Sequence, residues 1–391
     1  MDFSHNENQR ELAALCRTIL ADKATPERVS KVEADGDRFD PGLWADLASA
    51  GILAAALPES LGGAGLGLLE QCSVLAEIGR AVAPVPYLAS AVLGAGALAR
   101  FGTPQQRSRW AAPAAGGELV LTAALSEEDG DDPGAPAARA ERAGDRWLLT
   151  GTKTAVPAGP RADLILVPAA TAQGVTVFLV APGDRGVTVR PQRMTDGDAA
   201  GHLELAGVEL PDDRVLGRAD PGGGPAAGAE VTGWLVAHGT VGLCAQQSGV
   251  LERALELTAE YAKNRTQFGR PIGSFQAVAQ RLADAYIDVE AVRLTMWQAA
   301  WRLSAGLPCD TEVATAKFWA ADAGHRVAHT AVHVHGGVGI DTDHPLHRYF
   351  VAAKRLEFAL GGATTQLRRI GAALARETAT VDDHAHVGRL T

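Results

Sequence analysis

The chain has 391 residues and a net charge of −10, from 36 Lys and Arg against 46 Asp and Glu. Hydrophobic residues make up 47% of the sequence and charged residues 21%, which excludes a mostly disordered chain. The acidic balance argues against non-specific binding to nucleic acid or to anionic lipid. The length allows about two to four domains of ordinary size.

The four cysteines, Cys16, Cys72, Cys244 and Cys309, lie far apart and have no CxxC spacing. Neither a disulfide framework nor a zinc site is therefore predicted, and the cysteines are expected to be reduced. The N-terminus has no basic stretch followed by an apolar core, and no apolar run reaches the roughly 18 residues that a membrane helix needs. We expect a cytoplasmic protein without a membrane segment.

Residues 1–118 are rich in Ala and Leu with few β-branched runs, which predicts an N-terminal all-helical domain. Ser4 and Glu7 fit a capping box at the start of its first helix. Residues 119–217 have short β-branched runs between Gly, Pro and Asp, which predicts a middle β domain, a small antiparallel barrel or sandwich. The predicted strands are near 146–151, 164–167, 175–180 and 187–189.

A run rich in Gly, Pro and Ala at 218–229 predicts a flexible linker, after which helical periodicity returns. The pattern predicts a C-terminal four-helix bundle at 230–376 and a frayed tail at 377–391. The predicted helices cover about 278–296, 311–334, 345–359 and 364–376. The chain as a whole is predicted to be an α+β multidomain protein.

The densest chemical signal is the stretch 261–276, where a helix is predicted to stop at 269–271 and to restart near Ser274. Arg265 is placed in the last turn before this break. Its guanidinium can satisfy the C-terminal carbonyls of the helix, or it can bind a phosphate or pyrophosphate in a bidentate way. Spacing alone leaves both roles open.

A second signal is the run His-Val-His-Gly-Gly-Val-Gly at 333–339. Adjacent glycines after a helix form a C-cap, or let the backbone approach a ligand closely. His325, His329 and His333 recur four residues apart on one helix face, and paired histidines at this spacing are known to bind zinc. Because no carboxylate accompanies them, we prefer ordinary helix packing and predict no metal site.

Together these stretches resemble the acyl-CoA dehydrogenase family over nearly the whole chain. One family signature matches residues 51–65 and another matches 102–106. The most specific motifs are Arg-Thr-Gln-Phe-Gly at 265–269 with the Phe-Gln pair at 275–276, and His-Gly-Gly-Val-Gly at 335–339. The resemblance implies the acyl-CoA dehydrogenase fold, in which a helical, a β and a second helical domain follow one another.

The resemblance also implies an FAD enzyme, usually a tetramer, which oxidises the Cα–Cβ bond of an acyl-CoA thioester to a trans-2-enoyl-CoA. In the family a glutamate takes the α-proton and the β-hydrogen leaves as hydride to the flavin. An electron-transfer flavoprotein then reoxidises the flavin. Acyl-CoA, FAD and an electron-transfer flavoprotein are therefore the expected substrate, cofactor and electron acceptor.

Two motifs for the chain's own flavin depart from the family pattern. Where the family has Trp-Ile-Thr or Trp-Ile-Ser, this sequence has Ala155, Val156 and Pro157. Both the ring that packs on the flavin and the hydroxyl that bonds near its N5 are missing. The upstream Thr-Glu-Pro-Gly-x-Gly-Ser motif is replaced by the acidic run 126–132, which is expected to repel a pyrophosphate.

The catalytic glutamate is missing as well. The position that opens the family's Glu-Gly-Thr motif is Leu360, or Gly362 if one gap is allowed, and neither residue can abstract a proton. Other members place the glutamate on the first bundle helix, near 238–240 here, which also holds no carboxylate. Glu357 is close in sequence, but a shift of three residues turns it away. No catalytic residue is therefore predicted.

The contacts that family members make to the adenine and pyrophosphate of a neighbouring subunit's FAD are present. The matching residues are Arg265, Gln267, Phe268, Phe275, Gln276, His333, Gly336 and Gly337. We therefore expect FAD to be bound at the interface with a partner subunit.

The expected protein is the non-catalytic subunit of a heteromeric acyl-CoA dehydrogenase, whose glutamate-containing paralogue brings the base, the flavin-stacking aromatic and the acyl pocket. It resembles the glutamate-lacking subunits of actinobacterial alpha2beta2 dehydrogenases that act on steroid side-chain CoA thioesters, so a bulky substrate is expected. Two alternatives stay open. One is a self-sufficient homo-oligomer with a relocated base such as Glu357 or Glu252, and the other is a flavin-free structural or CoA-binding protein.

Overall fold

The computed structural model describes residues 3–34, 36, 38–130, 132–217 and 226–387. The N-terminal part is helical, as the sequence predicts. Its α-helices are α1 (Glu7–Lys23), α2 (Pro26–Ala34), α3 (Pro41–Ser49), α4 (Leu68–Ala81), α5 (Gly96–Phe101), α6 (Pro104–Gln106) and α7 (Ala112–Ala115). Two π-helical segments, Leu88–Ala95 and Arg107–Ala111, lead directly into α5 and α7.

Helix α1 is capped by Asn6 and not by Ser4. The Asn6 side chain accepts a hydrogen bond from the Gln9 amide at 2.8 Å, and Gln9 Oε1 accepts one from the Asn6 amide at 2.7 Å. The predicted capping box of Ser4 and Glu7 is wrong, because Glu7 is the first helical residue and not the third. The helix exists as predicted, but it starts two residues later.

The middle part forms a twisted sheet of eight strands. They are β1 (Leu121–Ala123), β2 (Arg139–Ala143), β3 (Arg146–Pro157), β4 (Leu164–Thr171), β5 (Gly174–Val180), β6 (Val187–Arg193), β7 (Ala199–Pro211) and β8 (Val215–Leu216). Their order is β6-β7-β3-β2-β4-β5-β8, with β1 beside β4. Most neighbours are antiparallel as predicted, but β1 and β2 both run parallel to β4. A bulge between Lys153 and Val156 interrupts the pairing of β3 with β7.

The C-terminal part is a helix bundle. Its helices are α8 (Ala226–Asn264), α9 (Gln276–Ser304), α10 (Asp310–His335), α11 (Leu346–Phe358) and α12 (Ala363–Val387). The linker prediction is wrong at its end, because α8 already begins at Ala226, while residues 218–225 lie outside the described residues. The tail prediction is wrong at its start, because α12 continues through Val387, while residues 388–391 lie outside the described residues.

The alternation of side chains along β4 connects the sheet to two apolar cores. Leu164 and Leu166 pack into the large core that also contains α4 and α8. Ile165 and Val167 point to the opposite face and pack into a smaller core within the β part. Successive strand residues face opposite sides of a sheet, so one face of this sheet is fixed against the helices. The junction between sheet and helices is where the candidate site lies.

The four cysteines are free and buried, as expected for reduced thiols. Burial raises the pKa of the Cys16 and Cys244 thiols to about 12, which keeps both unreactive at neutral pH. Among the helices that the structure describes, none combines the length and the apolar character needed to cross a membrane.

Candidate functional site

A cavity of about 370 Å³ lies where the two helical parts meet the sheet. Its wall is formed by α4 and the loop after it, by the bulge of β3, by α8 and by the end of α11. The wall is largely apolar and includes Leu75, Ile78, Leu93, Leu243, Val250 and Leu360. A concave, mostly apolar space of this size suits a small organic molecule.

The two sequence positions at which the resemblance expects a base meet in this cavity. A Cβ added at Gly239 on α8 would lie 3.2 Å from the Leu360 Cδ1, just after α11. Both residues line the cavity and neither has a carboxylate, so the wall offers no base at this point. Glu357 does not line the cavity; its carboxylate accepts a hydrogen bond from Lys354 Nζ at 2.6 Å. Gly362 does not line it either.

Buried side chains hold the segment around Leu360 in place. Lys317 on α10 donates hydrogen bonds from Nζ to the carbonyls of Leu356 at 3.0 Å and Glu357 at 2.9 Å. Burial lowers the pKa of Lys317 to about 8. Gln366 on α12 donates from Nε2 to the Leu360 carbonyl at 3.1 Å. The Leu360 side chain is therefore directed into the cavity by a fixed backbone.

Polar groups of the segment that would contact the chain's own flavin are hydrogen-bonded to other residues of this chain. Gln192 Oε1 accepts a hydrogen bond from the Ala155 amide at 2.7 Å, and Gln192 Nε2 donates to Thr154 Oγ1 at 3.0 Å. The Pro157 carbonyl accepts a hydrogen bond from Thr122 Oγ1 at 2.6 Å. Pro157 has neither an N–H nor a hydroxyl, and Ala155 offers no ring. These residues do not fit a flavin ring at this place.

The acidic run after β1 has fewer carboxylates available to repel a pyrophosphate than the sequence suggests. Glu127 accepts a hydrogen bond from Lys153 Nζ at 2.6 Å and bonds from the amides of Ala137 and Ala138. Desolvation works against its charge, but these bonds outweigh it and lower the pKa of Glu127. The expected repulsion of a pyrophosphate therefore rests on the exposed carboxylates of Glu128, Asp129 and Asp132; Asp131 lies outside the described residues.

One end of the cavity carries a charged cluster that sequence reasoning missed. Arg355 on α11 donates to Asp198 at 2.5 Å and lies 3.5 Å from Asp196, while Arg38 Nη1 lies 3.6 Å from Asp196. Burial raises the pKa of Asp198, although Arg355 opposes the shift. The cluster joins all three parts of the chain. The Asp-Gly-Asp turn at 196–198 is visible in the sequence, but its distant arginine partners are not.

The motif around Arg265 forms an exposed hairpin between α8 and α9. Strands β9 (Thr266–Gln267) and β10 (Arg270–Pro271) are joined by Phe268 and Gly269, whose φ angles of +51° and +76° fit a type I′ turn. Phe268 is 93% exposed. Nothing in the described part of the chain pairs with the Arg265 side chain, which is also exposed. Arg265 is therefore not capping α8 with its side chain, and its guanidinium is available to an outside anion.

The Gly-Gly turn lies at the same end of the bundle as this hairpin. The Tyr261 ring, four residues before Arg265, stacks on the His335 ring with centroids 4.3 Å apart, and His335 directly precedes Gly336. Gly336 has a φ of +63°, and no heavy atom lies within 4 Å of where its Cβ would be. The other predicted contact residues, Gln267, Gln276, His333 and Gly337, are exposed, and Phe275 is half-buried. The fold thus presents one open surface with backbone and cationic groups, which fits an anionic cofactor from outside the chain.

The three histidines of α10 do not converge on one point. His325 and His329 have ring centroids 4.3 Å apart, and His325 Nδ1 lies 2.9 Å from Lys354 Nζ. His333 is exposed. Over the described ranges, no group of three or more His, Cys, Asp and Glu side chains is arranged to hold a metal ion.

Three family models match the chain in succession. The acyl-CoA dehydrogenase N-terminal domain matches residues 6–118, the middle domain residues 122–208 and the C-terminal domain residues 226–375. The chain belongs to the acyl-CoA dehydrogenase family. Acyl-CoA dehydrogenases are FAD-dependent oxidoreductases, and the fold described above is the fold of this family.

This acyl-CoA dehydrogenase is similar to proteins of the same family from Mycobacterium tuberculosis. It is 52% identical to the acyl-CoA dehydrogenase FadE27, over 97% of this chain and 100% of that protein. It is 54% identical to a chain in the crystal structure of the ChsE4-ChsE5 complex, with a TM-score of 0.90 and coverage of 96% and 99%. A variant of the Tcur3481-Tcur3483 steroid ACAD gives 41% identity and a TM-score of 0.88, with coverage of 95% and 99%.

Proposed function

We propose that this chain is the non-catalytic subunit of a heteromeric acyl-CoA dehydrogenase. It binds a glutamate-containing paralogue, in an alpha2beta2 arrangement, and completes the FAD site of that partner. The complex removes hydrogen from the α,β bond of a bulky, steroid side-chain-like acyl-CoA. FAD, when bound, supplies the acceptor for the hydride, and the residues of this chain hold its anionic end.

The observation that carries the proposal is the absence of a base where one is needed. Leu360 and Gly239 lie at positions where the resemblance expects the glutamate, and they adjoin each other in the cavity wall. The segment from Ala155 to Pro157 satisfies its own hydrogen bonds and has no ring for a flavin. The chain's own site is therefore unsuited to dehydrogenation.

The exposed end of the bundle supports the other half of the proposal. Arg265 has no side-chain partner within the described residues, and the Phe268 ring is almost fully exposed beside it. An exposed aromatic ring and an unpaired guanidinium on a short hairpin contribute little to this chain's own fold. They are suited to a flat adenine ring and a pyrophosphate held by another subunit.

The relatives support the heteromeric assembly and the substrate class. One similar structure is a ChsE4-ChsE5 complex, and another is described as a steroid ACAD of two named components, Tcur3481 and Tcur3483. We propose a heteromeric assembly and a steroid-type substrate for this chain as well. An electron-transfer flavoprotein as the electron acceptor and a cytoplasmic location complete it.

A self-sufficient enzyme with a relocated base is less well supported. Glu357 pairs with Lys354 and lies 3.4 Å from His325, and Glu252 pairs with Arg80 at 3.0 Å. Neither glutamate lines the cavity. A flavin-free structural protein would leave the unpaired Arg265 hairpin without a role.

The test is the absorbance from about 350 to 500 nm of this chain purified alone and after co-expression with a glutamate-containing paralogue. We expect a colourless chain alone and a yellow complex. Stoichiometric FAD in the chain alone would contradict the proposal and favour the self-sufficient enzyme. A colourless complex that forms and stays intact would favour the flavin-free protein.

A further inference from the structure

A second cavity, of about 360 Å³, lies among α1, α2, the end of α4, α8 and the start of α11. We call it the arginine cavity. Val82 lines both this cavity and the one described above, and the other described residues of the two walls differ. The apolar part of its wall consists of Leu20, Ala21, Ala24, Pro26, Val29, Ala81, Val82 and Pro345. A concave space of this size with an apolar lining suits a small organic molecule.

Guanidinium groups dominate the charged part of this wall. The described charged residues that line it are Arg17, Glu77, Arg80, Arg253 and Arg348. The Glu77 carboxylate is already paired, because it accepts hydrogen bonds from Arg17 Nε at 2.9 Å and from Arg17 Nη2 at 2.6 Å. The carboxylates that pair with Arg80 and Arg253 belong to α8 and do not line the cavity. The wall therefore favours a negatively charged ligand over a cation.

Arg348 is the arginine of this wall that has unused hydrogen-bond donors. Its side chain is 9% exposed, and its Nε donates to Glu33 at 2.9 Å. Within the described chain, its two terminal nitrogens, Nη1 and Nη2, form no hydrogen bond. Glu33 serves a second arginine as well, since its other oxygen lies 3.5 Å from Arg38 Nε. A carboxylate that accepts from both terminal nitrogens would satisfy donors that are costly to leave unpaired in a buried place.

Tyr349, the residue after Arg348, lines the same cavity and contributes its ring more than its hydroxyl. The Tyr349 hydroxyl donates a hydrogen bond to the Arg80 carbonyl at 2.8 Å, so it has no second proton to donate to a ligand. The ring is buried, which adds an aromatic surface to the aliphatic side chains of the wall. A ligand that fits this wall has one anionic end for Arg348 and an apolar body for the rest.

We infer that the arginine cavity binds a small monocarboxylate with an apolar body. The carboxylate accepts hydrogen bonds from Nη1 and Nη2 of Arg348, and the apolar body packs against side chains of α1, α2 and α4. The inference goes beyond the proposed function and does not rest on it, because the site uses neither the Arg265 hairpin nor a partner subunit. It is also separate from the cavity that contains Leu360 and Gly239.

The experiment titrates the full chain with benzoate, benzamide and acetate by isothermal titration calorimetry. We expect one benzoate per chain. Benzamide lacks the charge and acetate lacks the apolar body, so each should bind at least about tenfold more weakly. Benzamide binding as tight as benzoate binding would overturn the role of the guanidinium, and equally tight acetate binding would overturn the apolar part of the site. Binding of none of the three would overturn the inference.

Two filling variants locate the site. Ala24 at the end of α1 lines the arginine cavity and is half-buried, so Ala24→Phe places a ring in the ligand space. Ala359→Phe is the matched control, because Ala359 is also half-buried but lines the other cavity. We expect benzoate affinity to fall at least about tenfold in Ala24→Phe and to stay unchanged in Ala359→Phe. The reverse result would place benzoate in the other cavity and refute the site.

Arg348→Gln tests the anionic end of the site. Glu33 keeps Arg38 as a partner in this variant, so no carboxylate is left without a cation. We expect the variant to bind benzoate and benzamide with equal, weak affinity. A folded Arg348→Gln chain that binds benzoate as tightly as the unmodified chain would contradict the assignment of Arg348.

A further measurement does not depend on a folded variant. The unmodified chain is irradiated with 4-azidobenzoate, and the labelled peptides are identified by mass spectrometry. Labels within 17–29, 77–82 or 345–349 support the site, because these stretches contribute to the wall of the arginine cavity. Labels confined to other parts of the chain, or labels that excess benzoate does not reduce, overturn it.

Discussion

Replacement of Arg265 by alanine separates a role in cofactor binding from a role in the fold. The side chain is exposed and has no partner among the described residues, so the free energy of unfolding should change by less than about 0.5 kcal/mol. A bidentate, charge-assisted contact to a pyrophosphate is worth about 3 kcal/mol. Since about 1.4 kcal/mol corresponds to a factor of ten, Arg265→Ala should weaken FAD binding to the complex about 100-fold.

The assay strips FAD from the co-purified complex and titrates it back, with flavin fluorescence as the signal and gel filtration to confirm that the complex persists. Arg265→Lys keeps the charge and loses the fork, so its affinity should lie between those of the alanine variant and the unmodified complex. Lys263→Ala is the matched control, because Lys263 is an exposed cation in the last turn of α8. If Arg265→Ala and Lys263→Ala bind FAD equally well, the assigned role of Arg265 is refuted.

Three further outcomes follow from the buried groups around the cavity. Leu360→Glu should give no turnover of an acyl-CoA with an artificial electron acceptor in the isolated chain, since the own-flavin segment still lacks a ring; measurable turnover would contradict this. Lys317 loses its proton at about pH 8 when folded and near 10.5 when unfolded, so the contribution of Lys317 to the unfolding free energy should rise with pH between these values. In urea titrations over this pH range, the unfolding free energy of the unmodified chain should rise by about 3 kcal/mol relative to that of Lys317→Met. Parallel pH profiles of the two chains would refute this prediction. Arg355→Met leaves Asp198 without its nearest cation and should lower the free energy of unfolding by about 3 kcal/mol, as measured by thermal unfolding. The control Arg190→Met breaks an exposed ion pair and should cost less than about 1 kcal/mol. Equal losses in the two variants would contradict a stabilising role for the pair of Arg355 and Asp198.

Local sequence patterns predicted most of the helices and strands, and they failed where contacts between residues far apart in the sequence determine the structure. The β-branched runs at 164–167 and 175–180 correspond to β4 and β5, because strand formation there follows from the local side chains. The start of α1 was predicted wrongly because Ser4 with Glu7 and Asn6 with Gln9 both have the spacing of a capping box. Asn6 also donates a hydrogen bond to Glu70 on α4 at 3.2 Å, a contact across 64 residues that no local pattern reveals.

The same distinction applies to the candidate site. Motif spacing placed Leu360 and the region of Gly239 at the family's base positions, and the structure brings these two residues face to face. The cluster of Asp196, Asp198 and Arg355 was missed, because its members come together only when α11 packs against the sheet, 157 residues away in the case of Asp198 and Arg355. Its signal in the sequence is limited to an Asp-Gly-Asp turn, which many proteins use without any ionic partner.

The absence of the base and the absence of the flavin contacts are physically linked. A glutamate at position 360 would direct a carboxylate into an aliphatic wall that includes Leu93, and under the proposed function no flavin or thioester of this chain would compensate the loss of its hydration. Leucine removes that cost, so a chain without its own flavin is more stable without the base. The opposite holds for Arg265, whose exposed side chain costs the fold nothing and stabilises nothing within the described chain. Burial therefore explains the residue at 360 within this chain alone, whereas the residue at 265 is explained by the proposed function, in which another subunit holds its ligand.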